Sequence, residues 1–173
     1  HDDHYGGLGS LRGHVLVGKI LVGEGVSRNL PAMVSDAVGL LGCEVEELRY
    51  GDFVRVGDFN LRMVWPHVPT DGSENADSIE LTLDYHSEEK SLTALLTGDA
   101  EKSETAEVLR FGDVGDIDFL KVGHHGSKVS LDAEGAEALD PEVSVASAGE
   151  NNRHGHPSPE CEGILNEAGS VFL

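Results

Sequence analysis

The chain has 173 residues, enough for one domain with a substantial core. Its 22 glycines and 5% aromatic content argue against a helical bundle, and no run approaches the ~18 apolar residues of a membrane-spanning helix. Asp and Glu number 32 against 12 Lys and Arg, a formal charge of −20, which excludes a surface built on general basicity for holding nucleic acid.

The remaining composition sets further limits. No secretory signal is visible. Cys43 and Cys161 form no C-x-x-C pattern, so neither a zinc knuckle nor a redox motif is implied, and both read as buried or spectator thiols. The first residue is not Met and lies inside a motif. The expectation is a single domain over 1–173, a fragment of a longer polypeptide.

In chain order, His1-Asp2-Asp3-His4-Tyr5-Gly6-Gly7 comes first. Two imidazoles and a carboxylate on one tight loop are what a metal site needs, and such N and O donors suit zinc, manganese or iron. Residues 8–12 start a short helix and residues 14–22 read as a strand region. Residues 23–29 form a turn. Pro31 opens a helix whose apolar stripe runs to Leu41 and is ended by Gly42.

Residues 44–50 alternate, and 53–58 with 59–65 make a hairpin about Gly57-Asp58 that Pro66 terminates. Residues 67–77 are a polar loop. Residues 78–85 alternate Ile79, Leu81, Leu83 and Tyr85 with polar residues, as a half-buried strand does, and 92–96 is its partner. A helix over 101–110, a strand over 117–122, a helix over 131–139 and a strand over 143–146 follow. A loop over 149–157, a helix over 159–168 and the start of a strand at 171–173 complete the chain. Hairpins followed by strand–helix alternation imply an α/β sandwich with sheets inside and helices outside.

Two strands end in residue types that ligate metals. Leu95-Leu96-Thr97-Gly98-Asp99 is one, and Phe119-Leu120-Lys121-Val122-Gly123-His124-His125-Gly126-Ser127 is the other. With the N-terminal run, and in this order, they resemble the metallo-β-lactamase superfamily. Asn75-Ala76-Asp77-Ser78 and Gly149-Glu150-Asn151-Asn152-Arg153-His154-Gly155-His156-Pro157-Ser158 narrow the resemblance to the C-terminal hydrolase domain of ComEC-type DNA-uptake (competence) proteins. It spans nearly the whole chain. Gly-His-His-Gly-Ser is shared with phosphorylcholine-esterase-like relatives.

That resemblance implies a fold: an α/β, metallo-β-lactamase-like αββα sandwich, truncated at its N- and C-terminal edges. It implies a metal set of His1, Asp3, His4, Asp99 and His125, holding one or two Zn or Mn ions with Asp99 bridging. The family motif has a further histidine two residues before His1. The 124–125 pair leaves the last ligand open; His125 is favoured, with His124 facing the substrate. For a third-motif ligand only His67 and His86 stand in the right order, and Asn75–Ser78 occupies that place instead, so the first metal site is expected to be incomplete.

Catalytic roles fall to Asp3, Asp99, His124 and His156, and substrate contacts to Ser127, Lys128 and Asn152. The implied activity is a metal-dependent DNA phosphodiesterase or nuclease in which the ion acidifies a water and His156 holds a phosphate oxygen or protonates the leaving oxygen. The implied partners are DNA, held weakly by the isolated acidic domain, and the membrane-channel portion of a parent protein whose hydrolase domain faces outward. No small-molecule cofactor is expected. Two rivals use the same residues: an esterase of phosphocholine or lactone type, and a catalytically degenerate domain that guides DNA or binds a partner.

Overall fold

The computed structural model describes residues 1–173. Nine strands form two sheets. The larger runs β3(Phe53–Val56), β4(Phe59–Trp65), β5(Glu80–His86), β6(Ser91–Leu96), β7(Phe119–Lys121), β8(Val143–Val145) and β9(Val171–Phe172), each bonded to the next. The first four are antiparallel and the last three join in parallel. Hairpins can be closed by two residues, whereas parallel neighbours need crossovers. The crossovers are α3(Lys102–Phe111), α4(Ala133–Leu139) and α5(Pro159–Glu167). The smaller sheet is a parallel pair, β1(Lys19–Gly23) and β2(Glu44–Leu48), joined through α2(Ala32–Leu41).

Local chemistry explains most boundaries. Val56 pairs with Phe59 across Gly57-Asp58, and Gly57 adopts the positive φ this two-residue turn needs. α2 ends at Gly42 in the left-handed conformation. α3 opens with a capping box, Glu101 N–H donating to the Glu104 carboxylate at 2.8 Å. Ser158 caps α5, accepting from the Cys161 amide, with Pro159 in the first turn.

The core lies between the large sheet and its crossover helices. Val64, Leu95 and Leu120 from the strands meet Val108, Leu139 and Leu165 from the helices, all at most 2% exposed. Cys161 is buried here with a free thiol, and Cys43 is half-buried.

Three expectations change. The strand region over 14–22 narrows to Lys19–Gly23, and Leu16 is fully solvent-exposed. The N-terminal motif is a single helical turn, α1(Asp2–Tyr5), rather than an irregular loop. On β5 the polar partners of the alternation, Glu80 and Thr82, are the deeply buried ones, at 0% and 6% exposure. The face carrying Leu81, Leu83 and Tyr85 lies opposite the one on which Thr82 pairs with Leu95, the face packed by the crossover helices. Period-2 alternation separates two faces of a strand without saying which is better covered. Phe59, Leu92 and Val56 on the apolar face accordingly remain exposed.

Candidate metal centre

Four ligand-bearing side chains converge at the carboxyl end of β6 and β7. Asp99 follows Gly98 after β6, and its backbone N–H donates to Ser78 Oγ at 3.0 Å. Its Oδ2 lies 2.9 Å from His4 Nε2 and 3.6 Å from His1 Nδ1. Its Oδ1 lies 3.5 Å from His125 Nε2, which is itself 3.1 Å from Asp3 Oδ2. One ligand atom each from Asp3, His4 and His125 falls within 4.8 Å of the others. The helical turn of α1 brings Asp3 and His4 to the same side, and His1 stays largely exposed at the margin.

The Gly-His-His-Gly stretch is shaped by close packing on both sides. A Cβ on Gly123 would sit 2.3 Å from the Ala100 carbonyl oxygen, and one on Gly126 would sit 2.8 Å from Pro157. The loop is therefore wedged between the turn that carries Asp99 and the turn that carries His156. Within it His124 and His125 both adopt positive φ, 44° and 57°, a conformation that costs ~1–3 kcal/mol per residue and clusters at functional sites.

Hydrogen bonding separates the two histidines. His125 Nδ1 lies 2.7 Å from the Ser147 carbonyl, which only accepts, so the proton is on Nδ1 and the neutral ring's Nε2 is a lone-pair donor. This is how a ligating imidazole is oriented by its surroundings. His124 instead sets Nδ1 against Glu101 Oε1 at 3.2 Å and Asn75 Nδ2 at 3.4 Å. Its ring centroid is 5.8 Å from that of His156.

The electrostatics follow from burial and proximity. Burial acts to raise the Asp99 pKa, but the His4 hydrogen bond and the His4, His125 and His124 charges outweigh it and hold the carboxyl below its usual range. The hydrogen bond to Asp99 raises His4 against the opposing effect of burial. His156 is lowered, first by burial and then by the neighbouring histidines.

Asp99 Oδ1 and His125 Nε2 are buried and satisfied by no hydrogen bond. Orphaned buried polar atoms are costly, and two facing one another with a carboxylate and an imidazole beside them suit a divalent ion. The donor set of imidazole nitrogen and carboxylate oxygen fits zinc or manganese.

The other expected residues fall nearby or apart. Lys128 is exposed. Ser127 is buried, and its hydroxyl accepts from the Val129 amide. Asn152 donates to the Gly149 and His156 carbonyls and accepts from the His154 and His156 amides, so its carboxamide holds the loop that carries His156. His67 packs against Tyr50, Trp65 and Phe111 with Nε2 3.6 Å from Asp113, and His86 is exposed at the end of β5. Neither joins the cluster. Asn75 and Ser78 do border it, through His124 and Asp99. Sequence reading passed over Glu101, which reads as an ordinary cap, and over the Ser147 carbonyl, a backbone group without a sequence signal.

The sheet order and crossovers define the class: the fold is α/β and metallo-β-lactamase-like. The chain is homologous to ComE operon protein 3 of Bacillus subtilis (strain 168), with 35% identity over 164 residues, 94% of this chain and 21% of that protein. Recombination protein 2 of Haemophilus influenzae is 32% identical over 93 residues, 54% of this chain and 11% of that one. The chain thus spans about a fifth or less of the length of these relatives. No protein-family model matches it. Among solved structures, the diiron β-hydroxylase CmlA from Streptomyces venezuelae superposes over 90% of this chain and 38% of its own, with TM-score 0.59 and 13% identity. The metallo-β-lactamase GOB-18 from Elizabethkingia meningoseptica gives TM-score 0.45 and 17% identity over 98% of this chain and 66% of its own.

Proposed function

We propose that this domain is a metal-dependent phosphodiesterase acting on DNA during uptake, attached to the membrane channel of a longer protein and facing outward. The observation that carries the reading is the convergence of Asp3, His4, Asp99 and His125, with buried Asp99 Oδ1 and His125 Nε2 left without partners. Homology to ComE operon protein 3 over 94% of the chain supports the context. No helix is long and apolar enough to cross a membrane.

In this reading Asp99 is shared between His4 on one oxygen and His125 on the other, and His1 completes the outer side. Asp3, His4, Asp99 and His125 would hold one or two Zn or Mn ions, and the chemistry supplied there would be Lewis-acid stabilisation of charge on the phosphoryl oxygens. Lys128 and His156 meet the substrate at the rim, while Ser127 and Asn152 hold their loops in shape. The test is metal content together with hydrolysis of DNA and of bis(p-nitrophenyl) phosphate. One or two ions per chain and turnover, both lost in Asp99→Ala, are the expected result. A chain that binds no ion after loading with Zn or Mn and hydrolyses neither substrate overturns it.

A second reading has its own support. The groove beside the cluster, about 840 Å³, is lined by apolar side chains and by Asp71, Glu74 and Asp77, without a lysine or arginine. Such a lining suits a small ester of phosphocholine or lactone type better than a polyanion. Turnover of a small ester with none on DNA selects it.

A further inference from the structure

Away from the metal centre, the C-terminal end of α3 and the outer strands β3 and β4 gather a surface of exposed rings. Phe53 is 72% exposed, Phe111 is 51% exposed and Tyr50 is exposed as well. Single apolar residues on a surface are ordinary, but these rings are joined. The His67 ring packs against Phe111 at 4.2 Å, Tyr50 at 4.5 Å and Trp65 at 4.9 Å. Asp113, two residues beyond Phe111, accepts from the Tyr50 hydroxyl at 2.9 Å and from Arg62 at 2.7 Å. Arg62 stands opposite Phe53 in the β3–β4 pair, so both side chains lie on the sheet face toward α3.

Arginine is concentrated on the same surface. Arg49, Arg55, Arg62 and Arg110 are four of the seven arginines in the chain. Arg110 sets its guanidinium 4.5 Å over the Phe111 ring, and Arg49 borders Tyr50 and His67. Arg49, Arg62 and Arg110 each pair with a carboxylate, from Glu24, Asp113 and Glu107. The surface therefore offers rings and guanidinium planes rather than net charge, within a molecule of charge −20. Rings of this kind stack nucleobases whatever the sequence, because every base has a π face. A duplex keeps its bases stacked inside and presents phosphates, which the acidic remainder of the domain repels. α3 joins this surface to the metal centre: its cap residue Glu101 lies 3.2 Å from His124, and its 10 residues span about 15 Å. Resting on the reading of DNA as the substrate, we propose that Tyr50, Phe53 and Phe111, with Arg62 and Arg110, form a stacking platform for the unpaired bases of a single DNA strand. The platform holds the strand by its bases, one helix length from the centre that receives the phosphate.

The test is fluorescence anisotropy at low salt, with a chelator present to prevent cleavage. The probes are a labelled thymidine oligonucleotide, an abasic strand of the same length and the matching duplex. The thymidine strand is expected to bind most tightly. Phe53→Leu and Phe111→Leu keep apolar bulk and lose the ring, and each should weaken that binding by about 5-fold or more. Leu92→Ala, exposed on the opposite face of the sheet, should leave it unchanged. Equal binding of the abasic strand or of the duplex, or no loss in either ring variant, overturns the proposal. So does binding of poly-L-proline at this surface with none of the thymidine strand, which assigns it to a proline-rich peptide. Hydrolysis, measured separately, distinguishes the platform from the reading beneath it. A chain that cleaves no phosphodiester, yet prefers thymidine to abasic strands and loses that preference in Phe111→Leu, keeps the platform and loses the phosphodiesterase reading. A chain that cleaves DNA but binds both strands alike keeps the reading and loses the platform.

Discussion

His125 and His124 are neighbours with nearly the same backbone conformation, yet one is held by a carbonyl and the other by a carboxylate. The difference predicts separable phenotypes. His125→Ala should weaken metal binding by more than the ~10–100-fold typical of removing an outer partner, whereas His124→Ala should leave metal stoichiometry intact. Competition with a chromogenic chelator measures both. Glu80 carries a second residue-scale prediction. Burial, reinforced by nearby Glu104 and only partly offset by the Thr105 hydroxyl, pushes its carboxyl up to about 8. Below its ordinary value of 4.5 the group is protonated folded or unfolded. As pH rises from there to about 8, the unfolded chain releases the proton and the folded chain keeps it, so stability falls, by roughly 5 kcal/mol in all. Above that range the effect is constant. Glu80→Gln should flatten this part of the profile, with the variant more stable than the unaltered chain at pH 8, as read by denaturation at a series of pH values.

At the scale of elements, the turn after β7 is the joint on which the site depends. Gly126 has φ +76° and no room for a Cβ against Pro157. Gly126→Ala should therefore cost about 1–3 kcal/mol and displace the loop carrying His156, seen as a lower Tm and altered His156 resonances. Sequence patterns located the strands and helices that frame this turn because their cues are local: Gly42 after α2, Gly57-Asp58 in the hairpin, Ser158-Pro159 before α5. They placed β1 too early, because residues 14–18 are apolar enough for a strand but β2 offers partners only from Lys19 onward. Hydropathy describes a segment, whereas a strand also needs a neighbour to receive its hydrogen bonds.

For the whole molecule, charge and coverage matter most. With a net charge of −20, the domain by itself should bind DNA more weakly than about 10⁻⁴ M at physiological salt, which fluorescence anisotropy with a labelled oligonucleotide measures. Tighter binding would mean that the few cations are gathered on one face. The amino-acid sequence by itself determined the order of the motifs and the α/β class, because short apolar strands, glycine stops and helix caps are local signals. Only the tertiary structure decided which histidine of the pair turns toward Asp99, that Glu101 and Asn75 hold the other, that His67 belongs to an aromatic cluster, and that Glu80 is buried. The pairings that set Asp99, the two histidines and the His67–Asp113 contact join residues 21 to 122 positions apart, and no local pattern encodes the partner a side chain finds across the fold.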